Sequence, residues 1–416
     1  MKLISSYFIV LLCMIQFPLN AQNCGNRYNQ KVFNKTKVTY NIYFGENITS
    51  DNKVKQMKFD VYEPEGDTER LRPVFIMMHG GAYWSGDKNH HECSLLGDDL
   101  SKMGYVLISP QYRYEPSFLS LLDGEKMVKA VARGTQDAKA MVRFLFKDVM
   151  ENGNTWGIDT SLIFIGGASA GALNALHATY LDDQDTMPET WKNWIEEAGG
   201  TDGTTAAVGY PYKVAGVISI SGALARASFL DNEHVPFLTV HDTGDPQIPF
   251  NTGQPYGITS LPMIDGSNVM HPRALELGIE NPFLIFDRKD HTSYENLGFR
   301  VQPMYDSTLT YIKNFMSDIY CKKQVVTSIA SQKQLLSLKI YPNPTAGNVQ
   351  IEIPENYKNL RSYNVLIYDN SGKLVLTKNI ESSSTINMNN LPAGTYHLIL
   401  NHDQEALANT SVTLLK

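Results

Sequence analysis

Ser169 stands between small residues, in Gly167-Ala168-Ser169-Ala170-Gly171. The apolar run Leu162–Ile165 precedes it, and a helical pattern begins near Ala172. A G-x-S-x-G turn between strand and helix exposes the serine hydroxyl in a strained conformation suited to a nucleophile. The flanking residues must be small because neighbouring backbones crowd the turn. The following helix points its positive end at the site. A second glycine-bearing stretch, His79-Gly80-Gly81-Ala82-Tyr83-Trp84, follows another apolar run. There backbone N–H groups can approach a substrate with no side chain in the way. Gly81 and Ala82, with Ala170 beside the serine, are the expected oxyanion donors when an ester carbonyl is attacked, each worth ~3 kcal/mol of barrier. His79 reads as a residue that holds the loop. Tyr83 and Trp84 are the expected substrate contacts on the oxyanion side.

A serine hydroxyl needs a base, and the base needs an orienting carboxylate. In a nucleophile-elbow fold the acid and then the histidine follow the serine in the chain. Asp245 lies in the turn beyond the apolar run Phe237–Val240. Asp242 is its competitor, nearer the strand and better placed to hold the loop. Of ten histidines, only His271, His291, His397 and His402 come after Asp245. His397 and His402 fall in a second domain, and His271 begins a helix-like segment. His291, in Asp287–Ser293 just past the run Phe283–Phe286, is where a loop returns over Ser169. The expected triad is Ser169, Asp245 and His291. It requires no metal and no organic cofactor. The chain has neither CxxC nor HExxH, so no metal site is expected.

These side chains need a scaffold. The 416 residues are 43 % hydrophobic and 19 % charged, enough for a sizeable core in two or three units. A net charge of −7 gives no footprint for nucleic acid. Residues 1–21 read as a secretory signal peptide, with Lys2, an apolar run from Tyr7 to Ile15 and Ala21 at the cut. Beyond it no apolar run reaches membrane-spanning length, so stable membrane insertion is not expected. Removing the leader takes Cys13 and leaves Cys24, Cys93 and Cys321. A Cys24–Cys321 bridge would tie the ends of the first domain, worth ~4–5 kcal/mol on a chain-entropy argument. It would leave Cys93 free. The alternative is no bridge.

Residues 22–321 alternate near-continuous apolar runs with helical patterns such as Met127–Val149. That pattern predicts an α/β domain, a mostly parallel sheet covered by helices on both faces. Val38–Phe44 and Met57–Tyr62 alternate more and read as antiparallel edge strands. Residues 322–335 read as a linker. From 336 to 416 short strands and turns predict a small all-β sandwich, with Asp369-Asn370-Ser371-Gly372 as a hairpin turn.

The motifs at 79–84, Tyr112-Arg113-Tyr114-Glu115-Pro116, 167–171, Asp245 and His291 resemble the α/β-hydrolase esterases of the hormone-sensitive-lipase and bacterial feruloyl-esterase-like groups. The likeness covers roughly Val54 to Met316. It implies a serine carboxylesterase that works through an acyl-enzyme. The substrate expectation, acyl groups on plant polysaccharide or aryl esters, comes instead from the aromatic residues expected near the cleft. The sequence departs from the group at Ala82, in place of a third glycine, and at Ala168, in place of an acid before the serine. Neither change removes a backbone donor. Alternatives are a serine peptidase of the same fold and a non-catalytic binding protein of that fold. Ile340-Tyr341-Pro342-Asn343-Pro344, Leu391–Tyr396 and the terminal Leu414-Leu415-Lys416 resemble the type IX secretion sorting domain. That likeness implies the type IX machinery as a partner and an extracellular or cell-surface destination. The insertion Asp182–Lys213 carries Trp191, Trp194, Tyr210 and Tyr212, expected either to line the cleft or to pack the insertion down.

Overall fold

The computed structural model describes residues 26–204, 207–231, 235–330, 336–358, 360, 362–370, 373–402 and 405–415. The expected leader and Cys24 lie outside them. The chain forms two compact units that meet between Lys323 and Gln324.

The first unit is built on an eight-stranded sheet: β1 (Thr36–Ile48), β2 (Val54–Pro64), β3 (Arg72–Met78), β4 (Val106–Pro110), β5 (Ile158–Ala168), β6 (Gly216–Ile220), β7 (Phe237–Asp242) and β8 (Phe283–Phe286). The spatial order is β1-β2-β4-β3-β5-β6-β7-β8. From β4 to β8 every neighbour is parallel, while β1, β2 and β4 pair antiparallel, as the more alternating pattern of β1 and β2 predicts.

The continuous apolar runs are explained by two cores. Val74, Ile76 and Met78 of β3 face α2 (Gly124–Glu151) and α3 (Ala170–Tyr180). Phe75 and Met77 face the opposite way, against α1 (His91–Lys102) and α6 (Met304–Ala330). A strand turns alternate residues to opposite faces, so covering both faces requires an apolar residue at each position. The linker expected from 322 begins inside α6, because Lys322–Ala330 holds no Pro or Gly to stop a helix. Cys321, on α6, is disulfide-bonded. Cys93, on α1, is free and buried. No helix among the described residues is long and apolar enough to cross a membrane.

Parallel pairing brings the chemistry to one edge. Met78 pairs with Gly167, Ala168 with Ile220, Ile220 with Val240 and Asp242 with Phe286. The loops after β3, β5, β7 and β8 therefore leave the sheet side by side.

The second unit holds a five-stranded sheet, of β9 (Leu336–Ser337), β12 (Tyr363–Asp369), β13 (Leu374–Ile380), β15 (Gly394–His402) and β16 (Glu405–Leu414), in the order β9-β16-β15-β12-β13. A three-stranded sheet joins β10 (Lys339–Tyr341), β11 (Asn348–Glu352) and β14 (Ser384–Asn387). Val349, Ile351, Val365, Ile367, Leu398, Leu400 and Val412 from both sheets share one core, which makes a sandwich. β12 and β13 form the expected hairpin, although Ser371 and Gly372 of its turn lie outside the described residues.

Candidate active site

Ser169 joins β5 to α3 with φ 53° and ψ −122°, a conformation that L-residues rarely adopt. The surroundings hold it there. A Cβ on Gly167 would stand 2.4 Å from the Met78 carbonyl oxygen, and one on Gly171 only 2.2 Å from the same atom. The turn is thus pressed against the end of β3, and only glycine fits at both positions. The Ser169 N–H donates to the Ile220 carbonyl at 2.9 Å, and the Ser169 carbonyl accepts from Leu173 N–H at 3.0 Å.

The loop after β3 reverses sharply. Gly81, Ala82 and Tyr83 have φ of 126°, 50° and 61°, and a Cβ on Gly81 would meet the Ser85 carbonyl at 2.1 Å. The Gly81 carbonyl accepts from the N–H groups of Trp84 and Ser85, both at 3.1 Å. Among the described hydrogen bonds, the N–H groups of Gly81, Ala82 and Ala170 have no acceptor. Three donors at one sheet edge without acceptors are free to bind an acceptor in the cleft. His79 is fully buried and stacks on Tyr112, with ring centroids 4.5 Å apart. Its Nδ1 faces the Gly80 carbonyl at 2.5 Å, and burial pushes its pKa down to about 4. It is a neutral residue that holds the loop, as expected.

The Asp245 and His291 side chains meet. His291 Nδ1 donates to Asp245 Oδ2 at 2.7 Å. His291 Nε2 is buried and has no hydrogen-bond partner among the described residues. Asp245 Oδ1 accepts from the N–H groups of Gln247 at 2.8 Å and Ile248 at 3.0 Å. His241, buried at the end of β7, brings its Nε2 to 3.3 Å from Asp245 Oδ2. Burial works to raise the Asp245 carboxyl, but hydrogen bonds from His241 and His291 outweigh it and hold it below the usual carboxylate value. Asp242 takes the other role: Ser293 Oγ donates to it, which anchors the loop carrying His291. The Ser221 hydroxyl donates to the His291 carbonyl from a second side. His271 lies in another helix, α5 (Ser267–Leu277), with Nδ1 2.7 Å from Asn281 Oδ1.

One open cleft of about 200 Å³ gathers Ser169, His291, Gly81, Ala82 and Trp84. Trp84 is 45 % exposed, packs edge-on against Phe118 at 5.7 Å, and Phe118 packs in turn against Tyr256. Tyr83 departs from expectation. Its ring is 2 % exposed, and its hydroxyl donates to Asn174 Oδ1 at 3.0 Å and lies 3.2 Å from the Ala170 carbonyl. It pins the loop after β3 to α3 and does not line the cleft. The insertion aromatics are not in the cleft either. Trp191 sits on α4 (Glu189–Glu197) and walls a separate apolar cavity of about 70 Å³ with Met127, Leu173 and Phe229. Tyr212 meets Thr179 Oγ1 at 3.0 Å, and Tyr210 reaches Glu151. They pack the insertion down.

Sequence reasoning missed five cleft residues: Ser85, His90, Glu92, Gln247 and Tyr256. Tyr256 Oη donates to Gln247 Oε1 at 3.0 Å, a pairing between loop residues nine apart that no periodicity announces. Glu92 Oε2 accepts from Gly80 N–H at 2.9 Å, and His90 Nδ1 lies 3.5 Å from that oxygen. The adjacent pair of histidines before Glu92 is the only mark it leaves in the sequence.

Residues 59–225 match the BD-FAE family, and residues 339–413 match the family described as Secretion system C-terminal sorting domain. The first unit is thus similar to the BD-FAE family over residues 59–225, and the second to a secretion sorting domain over residues 339–413. Thermogutta terrifontis esterase 2 phosphorylated by paraoxon is 18 % identical, over 68 % of this chain and 94 % of that one, with a TM-score of 0.43. The butyrate-bound form of the same esterase is 17 % identical over 66 % and 93 %, with a TM-score of 0.43. A truncated carbohydrate esterase from gut microbiota is 13 % identical over 70 % and 97 %, with a TM-score of 0.44. No curated protein matches the chain.

Proposed function

We propose that the protein is a secreted serine carboxylesterase working through an acyl-enzyme, with Ser169 as nucleophile, His291 as base and Asp245 as its orienting acid. The observation that carries this reading is the single cleft holding Ser169 and His291, with His291 Nδ1 on Asp245 and its buried Nε2 unpartnered. That arrangement leaves one imidazole nitrogen to accept a proton and fixes the other as a donor to a carboxylate.

Ser169 Oγ attacks the ester carbonyl carbon and passes its proton to His291 Nε2. The oxyanion is held by N–H groups of Gly81, Ala82 and Ala170. The C–O bond to the alcohol then breaks, and the departing oxygen takes the proton from His291. Water attacks the acyl-enzyme with His291 again as base, releasing the carboxylic acid and restoring Ser169. The ionised Asp245 stabilises the imidazolium at both stages.

The substrate class follows from the cleft walls. Trp84 offers an exposed ring, while Ser85, His90, Gln247 and Tyr256 offer polar groups around the serine. Such walls suit a small acyl group on a hydroxylated alcohol such as a plant polysaccharide, or an aryl ester. The sorting domain would carry the enzyme outside the cell, after a leader at residues 1–21.

The test is hydrolysis of p-nitrophenyl acetate by the mature protein and by Ser169→Ala. The variant should lose turnover by on the order of 10⁶-fold. A variant that cleaves at the parent rate contradicts the assignment. A panel of acetyl-sugar, feruloyl, aryl and long-chain esters then ranks the substrates.

A further inference from the structure

Among the described residues of the cleft, Glu92 is a carboxylate that the triad leaves unused, and it is only 5 % exposed. Its placement raises a difficulty. A buried negative charge beside donors that must stabilise an oxyanion opposes the charge they are there to hold. Glu92 is nevertheless tied to the loop that bears them: its Oε2 takes the Gly80 N–H, the peptide group immediately before Gly81. A Cβ on Gly80 would sit 3.4 Å from both carboxylate oxygens and 3.5 Å from the Ala168 carbonyl. Gly80 is therefore packed between the Glu92 carboxylate and the carbonyl that precedes Ser169. His90 stands on its other side, with Nδ1 3.5 Å from Glu92 Oε2 and a side chain 37 % exposed. Its Nδ1 is buried and makes no hydrogen bond among the described residues, so the contact with Glu92 is an electrostatic one. The ring is thus positioned to carry a proton toward Glu92 and to exchange it with solvent.

We propose that Glu92 and His90 form an ion pair that positions the Gly81 and Ala82 N–H groups while cancelling the carboxylate charge beside the developing oxyanion. This rests on the ester-hydrolase reading of the same cleft. Glu92 is a positioning residue acting through Gly80, and His90 is its counter-charge. Burial works to raise the Glu92 carboxyl, but His90 outweighs it and holds it low, while Glu92 raises the His90 imidazole. Other groups face the pair. His79 is neutral, and burial raises Tyr112, Tyr294 and the Cys93 thiol, so all three stay protonated. Asp87 interacts with neighbouring His79, and Glu295 adds a negative charge that favours protonated His90. The sign follows: the pair is neutral while His90 holds its proton. As pH rises through the His90 ionisation, Glu92 is left uncompensated and turnover falls.

The experiment is the kcat and KM of the full chain on p-nitrophenyl acetate between about pH 5 and pH 10, with Ser169→Ala as the blank. The parent should show a rising limb and then a falling one. His90→Gln should lower kcat about tenfold at the parent optimum, leave KM within about twofold, and abolish the falling limb. Glu92→Ala should lower kcat about 100-fold. Glu92→Gln keeps an acceptor for Gly80 N–H and should recover about tenfold of that loss, also without the falling limb. His90 is partly exposed, so His90→Gln decides the matter even where the Glu92 variants fail to fold. A His90→Gln profile that superimposes on the parent overturns the pair and leaves the esterase reading intact. Absence of any Ser169-dependent hydrolysis overturns both.

Discussion

The nucleophile elbow and the insertion at 182–213 border the same helix, α3, and are held in opposite ways. At the elbow the constraint is backbone against backbone: Gly167 and Gly171 press on the Met78 carbonyl with no room for a Cβ. In the insertion the constraint is side chain against side chain. Trp191 closes an apolar cavity, Tyr212 meets Thr179, and Arg226 lies 5.3 Å from the Trp191 ring. Backbone crowding leaves a fixed mark in a sequence, because one residue type alone satisfies it. Side-chain packing accepts many residues, so its partners are not written in spacing. The difference teaches which parts of this molecule carry chemistry and which carry shape.

The largest effect is expected at the triad. Asp245→Asn keeps the size of the side chain but loses the charge that fixes the His291 tautomer. It should cut kcat on p-nitrophenyl acetate by about 10⁴-fold. A loss below about tenfold would place the orienting acid elsewhere. Next comes the elbow scaffold. Gly171→Ala puts a methyl group 2.2 Å from the Met78 oxygen and 2.8 Å from that of His79, so the elbow or the oxyanion loop must move. Turnover should fall by about 100-fold, with a lowered melting temperature. Unchanged kinetics would show that the turn has slack. The smallest effect on turnover belongs to the insertion. Trp191→Ala should cost about 1–3 kcal/mol in denaturant unfolding, because the ring is only partly buried. Its kcat/KM for p-nitrophenyl acetate should stay within about twofold of the parent. A large loss of kcat/KM with normal stability would return Trp191 to the cleft.

Legibility followed the same division. The parallel sheet was readable because strands covered on both faces need unbroken apolar runs, as in Val74–Met78. The serine turn and the sharp loop after β3 were readable from glycine placement, and the meeting of Asp245 and His291 from chain order after Ser169. Tyr83 was misread, because an aromatic beside a glycine loop looks the same in sequence whether it faces substrate or donates its hydroxyl to Asn174. Glu92 was hidden in the first turn of α1, where an acid is ordinary. Its contact with Gly80 depends on how the loop returns over the helix. The end of the first unit was blurred because α6 runs on to Ala330 through a mixed stretch with no Pro or Gly to end the helix. His241 stood four residues before Asp245 in the sequence, yet only the fold turns its Nε2 onto that carboxylate.

The central claim is that Ser169 is a nucleophile activated by His291, and covalent trapping tests it most directly. The mature protein is treated with a fluorophosphonate, digested, and the modified peptide sequenced by mass spectrometry. A single phosphonyl adduct is expected on Ser169, slowed severely by His291→Ala and absent from Ser169→Ala. An adduct on another serine, or no adduct on an active preparation, contradicts it.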